Sequence, residues 1–166
     1  MTSLAERLSG PASTTIFETM SGLARDLGAI NLGQGFPDFD CDPALLDAVN
    51  DAMRAGHNQY PPMAGILPLR QAVADKVNKL YGHAYDPQTE ITITAGATQA
   101  ILTVVLCCVH PGDEVIVIEP VYDSYVPAIE LAGGTPVFVQ MEVDGSGYSV
   151  PWDKVAAAVT PKTRLI

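Results

Sequence analysis

The stretch EITITAGATQAILTVVLCCVHPGDEVIVIE, residues 90–119, determines the fold class of this chain. It opens with a β-branched run that reaches a glycine turn, and residues 97–109 then form an apolar segment long enough for a helix. Pro111 and Gly112 end that segment, and EVIVIE is typical of a strand that is buried on both faces. A strand, a helix and a second strand in this order predict a parallel βαβ unit. Because the helical segment is apolar on nearly every side, we expect it to be buried.

The alternation of helix and strand continues to residue 166. The later predicted elements are, in order, a helix at 124–131, a strand at 136–141, a helix at 152–159 and the opening of a strand at 164–166. We therefore predict an α/β fold, a three-layer α/β/α sandwich around a mostly parallel sheet. Its strands are expected near Ile91, Val115 and Val137.

Before residue 90 the pattern predicts helices that are separated by irregular loops. The helical segments are residues 15–27, 44–55 and 66–82. Asp42 and Pro43 supply the N-cap and first-turn proline of the second helix. The loops are GQGFPDFDCD, residues 33–42, and HNQYPPMAG, residues 57–65, in which glycine and proline leave no regular element.

The composition points to small-molecule chemistry. The chain has 166 residues, of which 48% are hydrophobic and 17% charged, as in ordinary globular proteins. Its net charge of −10 and the absence of a Lys/Arg cluster in the sequence argue against binding to nucleic acid or to an anionic membrane surface. No apolar run is long enough to span a bilayer, and we expect a cytoplasmic protein.

The cysteine pattern agrees with a reducing compartment. Cys41, Cys107 and Cys108 are odd in number and have no CxxC spacing, so we expect free thiols, the latter two buried in the apolar segment. His57, His83 and His110 have no metal-ligand spacing, and we expect no metal site.

The glycine turn at Gly96 is the first candidate binding feature. At the start of a helix, the backbone amides of Gly96, Ala97 and Thr98 can form an anion site that suits a phosphate. The alternative is an ordinary strand-to-helix connection without a ligand. The turn matches neither GxGxxG nor GxxxxGK[ST], so neither the dinucleotide nor the P-loop fingerprint applies.

Two tyrosines are further candidates. Tyr122 follows the strand EVIVIE, and the carboxyl ends of strands are where open α/β sheets bind ligands. Tyr60 precedes two prolines that can hold its loop in one conformation. A surface tyrosine and a structural hydrogen bond are the respective alternatives.

Four segments together resemble a known family. In order they are NLGQGFPDF at 31–39, NQYPPMAG at 58–65, TAGATQA at 94–100 and EPVYDSY at 119–125. This set resembles the fold type I pyridoxal-phosphate-dependent aminotransferases of class I/II. It is most similar to the branch that acts on methionine, aromatic amino acids and kynurenine. The similarity begins near Thr14, and the chain corresponds to less than half of a family member.

The resemblance implies roles for the cofactor-binding residues. Gly96 and Ala97 would bind the phosphate of pyridoxal 5'-phosphate through backbone amides, and Thr98 would close the turn. Tyr122 would stack on the pyridine ring. Tyr60 would reach the cofactor phosphate of a neighbouring subunit, which implies a homodimer.

The resemblance also implies a substrate side and a domain division. Gly35 would lie against the carboxylate of the amino acid or 2-oxo acid, and Ile16 and Phe36 would form apolar walls of the pocket. Residues 1–42 would be an N-terminal arm and small-domain segment, and residues 43–166 the N-terminal part of the large, cofactor-binding domain. The family's strand end also leads us to expect a cis peptide bond between Glu119 and Pro120.

No residue of this chain is assigned as catalytic. The lysines lie on amphipathic helices or in the terminal turn, and none matches the lysine that links covalently to the cofactor in the family; they are Lys76, Lys79, Lys154 and Lys162. We therefore expect the N-terminal portion of an aminotransferase that is inactive as a 166-residue chain alone. The alternatives are a carbon–sulfur β-lyase of the same fold and a noncatalytic phosphate-binding α/β module.

Overall fold

The computed structural model describes residues 15–166 except 36, 38 and 146. The helices in this part are α1 (Ile16–Asp26), α2 (Pro43–Arg54), α3 (Leu67–Tyr81), α4 (Ala97–Cys108), α5 (Tyr125–Leu131) and α6 (Trp152–Ala158). The strands are β1 (Glu114–Glu119), β2 (Thr135–Gln140), β3 (Glu142–Asp144), β4 (Gly147–Ser149) and β5 (Thr163–Leu165). They form two compact units, Ile16–Thr94 and Ala95–Ile166. The division predicted between residues 42 and 43 stays a prediction.

The unit Ala95–Ile166 is built on a parallel sheet of order β2-β1-β5. β1 pairs along its whole length with β2, with Ile116 opposite Val137, and its first residues pair with β5. A parallel strand with a neighbour on each side has both edges paired and needs cover on both faces. Residues 115–118 of EVIVIE are all apolar, so β1 presents apolar side chains on both faces.

Successive side chains of β1 pack in two separate layers. Val115 and Val117 lie against α4 and α5, in a core that includes Val105 and Ile129. Ile116 faces the other way and packs with Val139 and with Val155 of α6. Helices therefore cover both faces of the sheet, and the predicted α/β/α layering is confirmed.

The unit Ile16–Thr94 contains α1, α2 and α3 with the loops between them. The Asp42 carboxylate accepts a hydrogen bond from the Ala44 amide at 2.9 Å, and Pro43 begins α2, as the capping signal predicts. Gly82 ends α3 in the left-handed conformation, with φ 68°. α1 and α2 contain no buried residue.

The strand predicted near Ile91 is wrong. Residues 91–94 belong to no strand, and the Ile93 amide instead donates to the Ala64 carbonyl at 3.0 Å. A β-branched sequence favours an extended backbone, but a strand also needs a neighbour that takes its amides and carbonyls. Among the described residues no strand pairs with this segment.

The predicted burial of α4 and of the cysteines is also wrong. Val105 is the one buried residue of α4, whereas Val104 and Leu106 are each 52% exposed. Cys107 and Cys108 are exposed free thiols. The helix is apolar all round, but β1 and α5 cover only the side that carries Val105.

The antiparallel hairpin of β3 and β4 was not predicted from the sequence. Val143 pairs with Tyr148 in this hairpin, which lies between β2 and α6 in the sequence. The Lys154 ammonium of α6 donates to the Glu142 carboxylate at 2.8 Å, and this hydrogen bond raises the pKa of Lys154. The contact joins the hairpin to the helix that covers one face of the sheet.

Two kinds of feature are absent from the described part of the chain. No helix there has the length and apolar character needed to cross a membrane. No group of three or more His, Cys, Asp or Glu side chains there is arranged to hold a metal ion.

Candidate functional site

The N-terminus of α4 and the end of β1 lie at the same edge of the sheet. α4 runs into β1 through a short turn and packs along it through Val105 and Val109. The helix has 12 residues and the strand 6, which correspond to lengths of about 18 Å and about 20 Å. A helix and a strand of equal length that are joined end to end and pack together must run in opposite directions. The start of α4 therefore lies where β1 ends.

Gly96 shapes the start of α4. It is the N-cap, with φ 87° and ψ 170°, a conformation that L-residues rarely adopt. A Cβ built on Gly96 would meet no atom within 4 Å, and Ala97 and Thr98 are exposed. The first amides of a helix have no acceptor within the helix. The turn therefore presents the amides of Ala97 and Thr98 at an open surface, where an anion can approach them.

Gln99 holds this turn from within the first turn of the helix. Its side-chain oxygen accepts a hydrogen bond from the Ala95 amide at 2.5 Å, and the Ala100 amide donates to the Gly96 carbonyl at 3.4 Å. No role was predicted for Gln99 from the sequence. The capping-box signal would not have identified this contact, because it requires Ser or Thr at the N-cap and places the glutamine on the N-cap amide, whereas Gln99 bonds the amide one residue earlier.

Tyr122 follows the carboxyl end of β1. The peptide bond between Glu119 and Pro120 is cis, as expected. The Tyr122 side chain is 49% exposed, and its ring meets that of Tyr125 edge to face at 5.9 Å between centroids. The Tyr125 amide donates to the Tyr122 carbonyl at 3.2 Å. Within the described part of the chain, the Tyr122 ring therefore meets that of Tyr125, the first residue of α5, and keeps a large solvent-facing surface.

Tyr60 lies in a loop that is held at both ends. The Asn58 side chain donates to the Met53 carbonyl of α2 at 2.9 Å, and the Ala64 carbonyl accepts the Ile93 amide. Pro61 and Pro62, directly after Tyr60, have fixed φ angles. Tyr60 itself is 100% exposed within this structure. A phenol on a restrained loop, with its whole surface open, can meet a partner at little entropic cost.

The residues predicted for the substrate side lie in the same unit as Tyr60. Ile16 is the first residue of α1 and is 62% exposed. Gly35 is exposed, and a Cβ built there would meet nothing within 4 Å. Phe36 lies outside the described residues.

The predicted site residues are divided between the two units. Gly96, Ala97, Thr98 and Tyr122 belong to the unit Ala95–Ile166, and the opposite directions of α4 and β1 imply that they lie at one edge of its sheet. The other predicted residues that are described, Ile16, Gly35 and Tyr60, belong to the unit Ile16–Thr94. Their roles stay predictions.

The profile of a protein family described as "Aminotransferase class I and II" matches residues 28–166. The match covers the Gly35 loop, the Tyr60 loop, the Gly96 turn and Tyr122.

Known relatives agree with this match. The chain is 49% identical over 156 residues to a probable N-succinyldiaminopimelate aminotransferase of Mycobacterium tuberculosis, covering 94% of this chain and 39% of the relative. It is 45% identical over 153 residues to a methionine aminotransferase of Escherichia coli, covering 92% of this chain and again 39% of the relative. This chain thus spans about two fifths of the length of these relatives.

A solved structure shares the fold. The N-succinyldiaminopimelate aminotransferase from Mycobacterium tuberculosis superposes with a TM-score of 0.90 at 49% identity, covering 98% of this chain and 42% of that one. Sequence profile, relatives and fold agree. The chain belongs to the class I and II aminotransferases, a family whose cofactor is pyridoxal 5'-phosphate.

Proposed function

We propose that this chain is the N-terminal portion of an enzyme that transfers an amino group from an amino acid to a 2-oxo acid with pyridoxal 5'-phosphate. The observation that carries the proposal is the packing of α4 against β1, from which we infer that the Gly96 turn and Tyr122 lie at the same carboxyl edge of the sheet. A phosphate site and an aromatic ring at one edge are what a phosphorylated heteroaromatic cofactor requires.

The residues at the start of α4 fit the cofactor phosphate. The backbone amides of Gly96 and Ala97 are proposed to bind the phosphate, and Thr98 to close the turn. The Ala97 amide has no acceptor within the helix, and the helix dipole favours negative charge at this end. The open space at the Gly96 Cβ position lets a phosphate oxygen approach the backbone. A protein with a net charge of −10 repels a dianion at long range, so the proposed binding depends on these local donors.

Tyr122 is proposed to stack on the pyridine ring. Its exposed surface is available for this contact, and the edge-to-face packing on Tyr125 limits the orientation of its ring. When bound, the cofactor supplies an electron sink for the carbanion formed at the substrate's α-carbon. Tyr122 would hold the ring in place and exclude water from one of its faces.

Tyr60 is proposed to donate from its phenol to the cofactor phosphate of a neighbouring subunit. The support is its complete exposure on a loop that is anchored at Asn58 and Ala64. This role makes the enzyme a homodimer in which each subunit completes its neighbour's site.

The proposed substrates are amino acids and their 2-oxo acids. Gly35 is proposed to lie against the carboxylate, since a glycine there leaves the backbone approachable, and Ile16 and Phe36 to form apolar walls. Methionine, aromatic amino acids and kynurenine are the proposed amino donors. N-succinyldiaminopimelate joins them because one relative is named for it. The free thiols are consistent with a reducing cytoplasm, where we place the enzyme.

The test uses the intact polypeptide that carries this chain. It is purified with pyridoxal 5'-phosphate and given each proposed donor with 2-oxoglutarate, and the new amino acid and new 2-oxo acid are quantified. Equal amounts of the two products support amino transfer. Release of a thiol and ammonia from a cysteine conjugate, without a new amino acid, would identify the carbon–sulfur β-lyase, which the named relatives do not favour.

Tyr122→Ala and Tyr148→Ala form a matched pair for the cofactor site. Tyr148 is an exposed tyrosine of the β3–β4 hairpin and serves as the control. Stacking of one aromatic pair contributes about 0.5–1.5 kcal/mol beyond burial. We expect Tyr122→Ala to weaken cofactor binding by at least this amount and Tyr148→Ala to leave it unchanged. Equal affinities in the two variants would contradict the stacking role.

A further inference from the structure

A hydrogen-bonded network joins α1 to the loop that carries Gly35. The Asn31 side-chain amide donates to the Ser21 hydroxyl at 3.0 Å, and this hydroxyl donates to the Gln34 side-chain oxygen at 3.4 Å. The Asn31 side-chain oxygen accepts from the Gly33 amide at 3.0 Å. Both contacts of Ser21 are partly buried.

Each member of the network uses its groups in complementary ways. Asn31 has one donor and one acceptor in use, and they hold Ser21 and the backbone of Gly33 at the same time. Ser21 accepts from Asn31 and donates to Gln34, so it links two residues that flank Gly33. Partly buried polar groups that satisfy one another in this way restrict each other's orientation.

Packing supports the same geometry. A Cβ built at Gly33 would lie 3.1 Å from the Cβ of Met20, which is closer than side chains normally approach. Met20 and Ser21 are neighbours on α1, so the helix touches the loop by packing and by hydrogen bonding at one place. A Cβ at position 33 would require the Met20 side chain to give way by a few tenths of an ångström, so glycine suits this close approach of the loop to α1.

We propose that Ser21 and Asn31 are positioning residues for substrate binding. They fix the backbone of residues 33–35 against α1, so that Gly35 is held where it meets the carboxylate of the amino acid or 2-oxo acid. This inference rests on the proposed function and deepens it. It assigns the alignment of the carboxylate-binding loop to two side chains that themselves do not touch the substrate.

The experiment compares variants of the intact enzyme. Ser21→Ala removes the central hydroxyl, Ser21→Thr retains it, and Asn31→Ala removes both contacts of Asn31. Asn78→Ala is the matched control, because Asn78 is an exposed asparagine of α3 in the same unit. The measurements are kcat and KM for methionine, the inhibition constant of 4-(methylthio)butanoate and the dissociation constant of the cofactor. This inhibitor has the carboxylate and side chain of methionine but no amino group.

The expected result is a selective loss of carboxylate binding. The loss of one or two hydrogen bonds that hold the loop predicts a rise of about 3- to 10-fold in KM and in the inhibition constant for Ser21→Ala and Asn31→Ala. kcat should change by less than about twofold, because binding to the ground state and to the transition state weakens equally. Cofactor affinity should be unchanged, and Ser21→Thr should restore most of the loss.

The outcomes separate this inference from the proposed function. A wild-type enzyme that performs no amino transfer defeats both. An active wild type whose Ser21→Ala and Asn31→Ala variants keep their KM defeats the positioning role alone. Variants that lose their circular dichroism spectrum, or a Ser21→Thr variant as impaired as Ser21→Ala, would assign the network to stability and overturn the proposal as well.

Discussion

Replacement of Gly65 by alanine tests how the Tyr60 loop is held. Gly65 has φ 92°, and a Cβ built there would lie 2.6 Å from Cγ1 and 2.8 Å from Cβ of Ile93. The left-handed backbone costs an L-residue about 1–2 kcal/mol. The overlap with Ile93 adds about 1–3 kcal/mol, typical of an overpacked site. We therefore expect Gly65→Ala to lower the free energy of unfolding by about 2–5 kcal/mol in total.

Gly56→Ala is the matched control for this prediction. Gly56 has nearly the same φ, 88°, and a Cβ built there would meet nothing within 4 Å. The control therefore carries the backbone cost alone, about 1–2 kcal/mol. The difference between the two variants isolates the contact with Ile93, which also donates its amide to Ala64 at the end of the Tyr60 loop.

Urea denaturation of both variants, followed by circular dichroism, measures this difference. With a slope of about 2 kcal/mol per molar urea, the extra loss in Gly65→Ala moves its midpoint about 0.5–1.5 M below that of Gly56→Ala. Equal midpoints for the two variants would show that Ile93 yields without cost. The rigid attachment of the loop at its Ala64 end would then be refuted.

Three further predictions concern the cofactor site, the isolated chain and a carboxylate. In the intact enzyme, Tyr60→Phe should weaken cofactor binding by about 1.5–3 kcal/mol, typical of a charge-assisted hydrogen bond, and Tyr148→Phe should leave it unchanged. Titration of the cofactor's absorption measures this affinity. An unchanged affinity in Tyr60→Phe would remove Tyr60 from the site. The 166-residue polypeptide alone should show no amino transfer from methionine in the presence of cofactor and a 2-oxo acid, because no lysine in it is assigned to the covalent link; sustained turnover would contradict this reading. The pKa of Asp86 lies below its ordinary value of 3.8 because the Gln88 amide and the Thr89 hydroxyl donate to its carboxylate. A depressed pKa stabilises the fold at pH values above the ordinary one, and this stabilisation is lost as the pH falls through the lowered pKa. Thr89→Val should therefore move the Asp86 pKa upward in an NMR titration, and no movement would exclude the hydroxyl as a cause.

The sequence predicted the core of the sheet because its signals there are local. β1 has the predicted bounds, because a Pro-Gly turn precedes its apolar run and a proline follows it, and these residues fix where the strand begins and ends. The caps of α2 and α3 were predictable for the same reason, because Asp42 and Gly82 act on the turn next to them. The β3–β4 hairpin carried no such signal, since its strands have only three residues each.

Part of the candidate site could be predicted from the sequence, and part could not. The Gly96 turn and the position of Tyr122 follow from strand and helix order, which the sequence contains. The network of Ser21, Asn31 and Gln34 joins residues 10 and 13 positions apart through a helix and a loop, and no periodic pattern encodes that approach. The Asn-x-Gly spacing at Asn31 and Gly33 was a usable signal, because asparagine side chains often accept the amide two residues on.

The two wrong predictions have one physical cause. The burial of α4 and the strand at residues 91–94 were inferred from composition, which states what a segment prefers and not what is present to satisfy it. Val104 and Leu106 prefer burial as strongly as Val105 does, yet of these three residues Val105 alone belongs to the core with β1 and α5. The extended segment near Ile93 likewise favours pairing, yet in the described part of the chain its amide finds a loop carbonyl at Ala64. Burial and strand pairing each need a second surface that covers or pairs with the segment. A sequence pattern therefore predicts them only where the sequence also predicts that second surface.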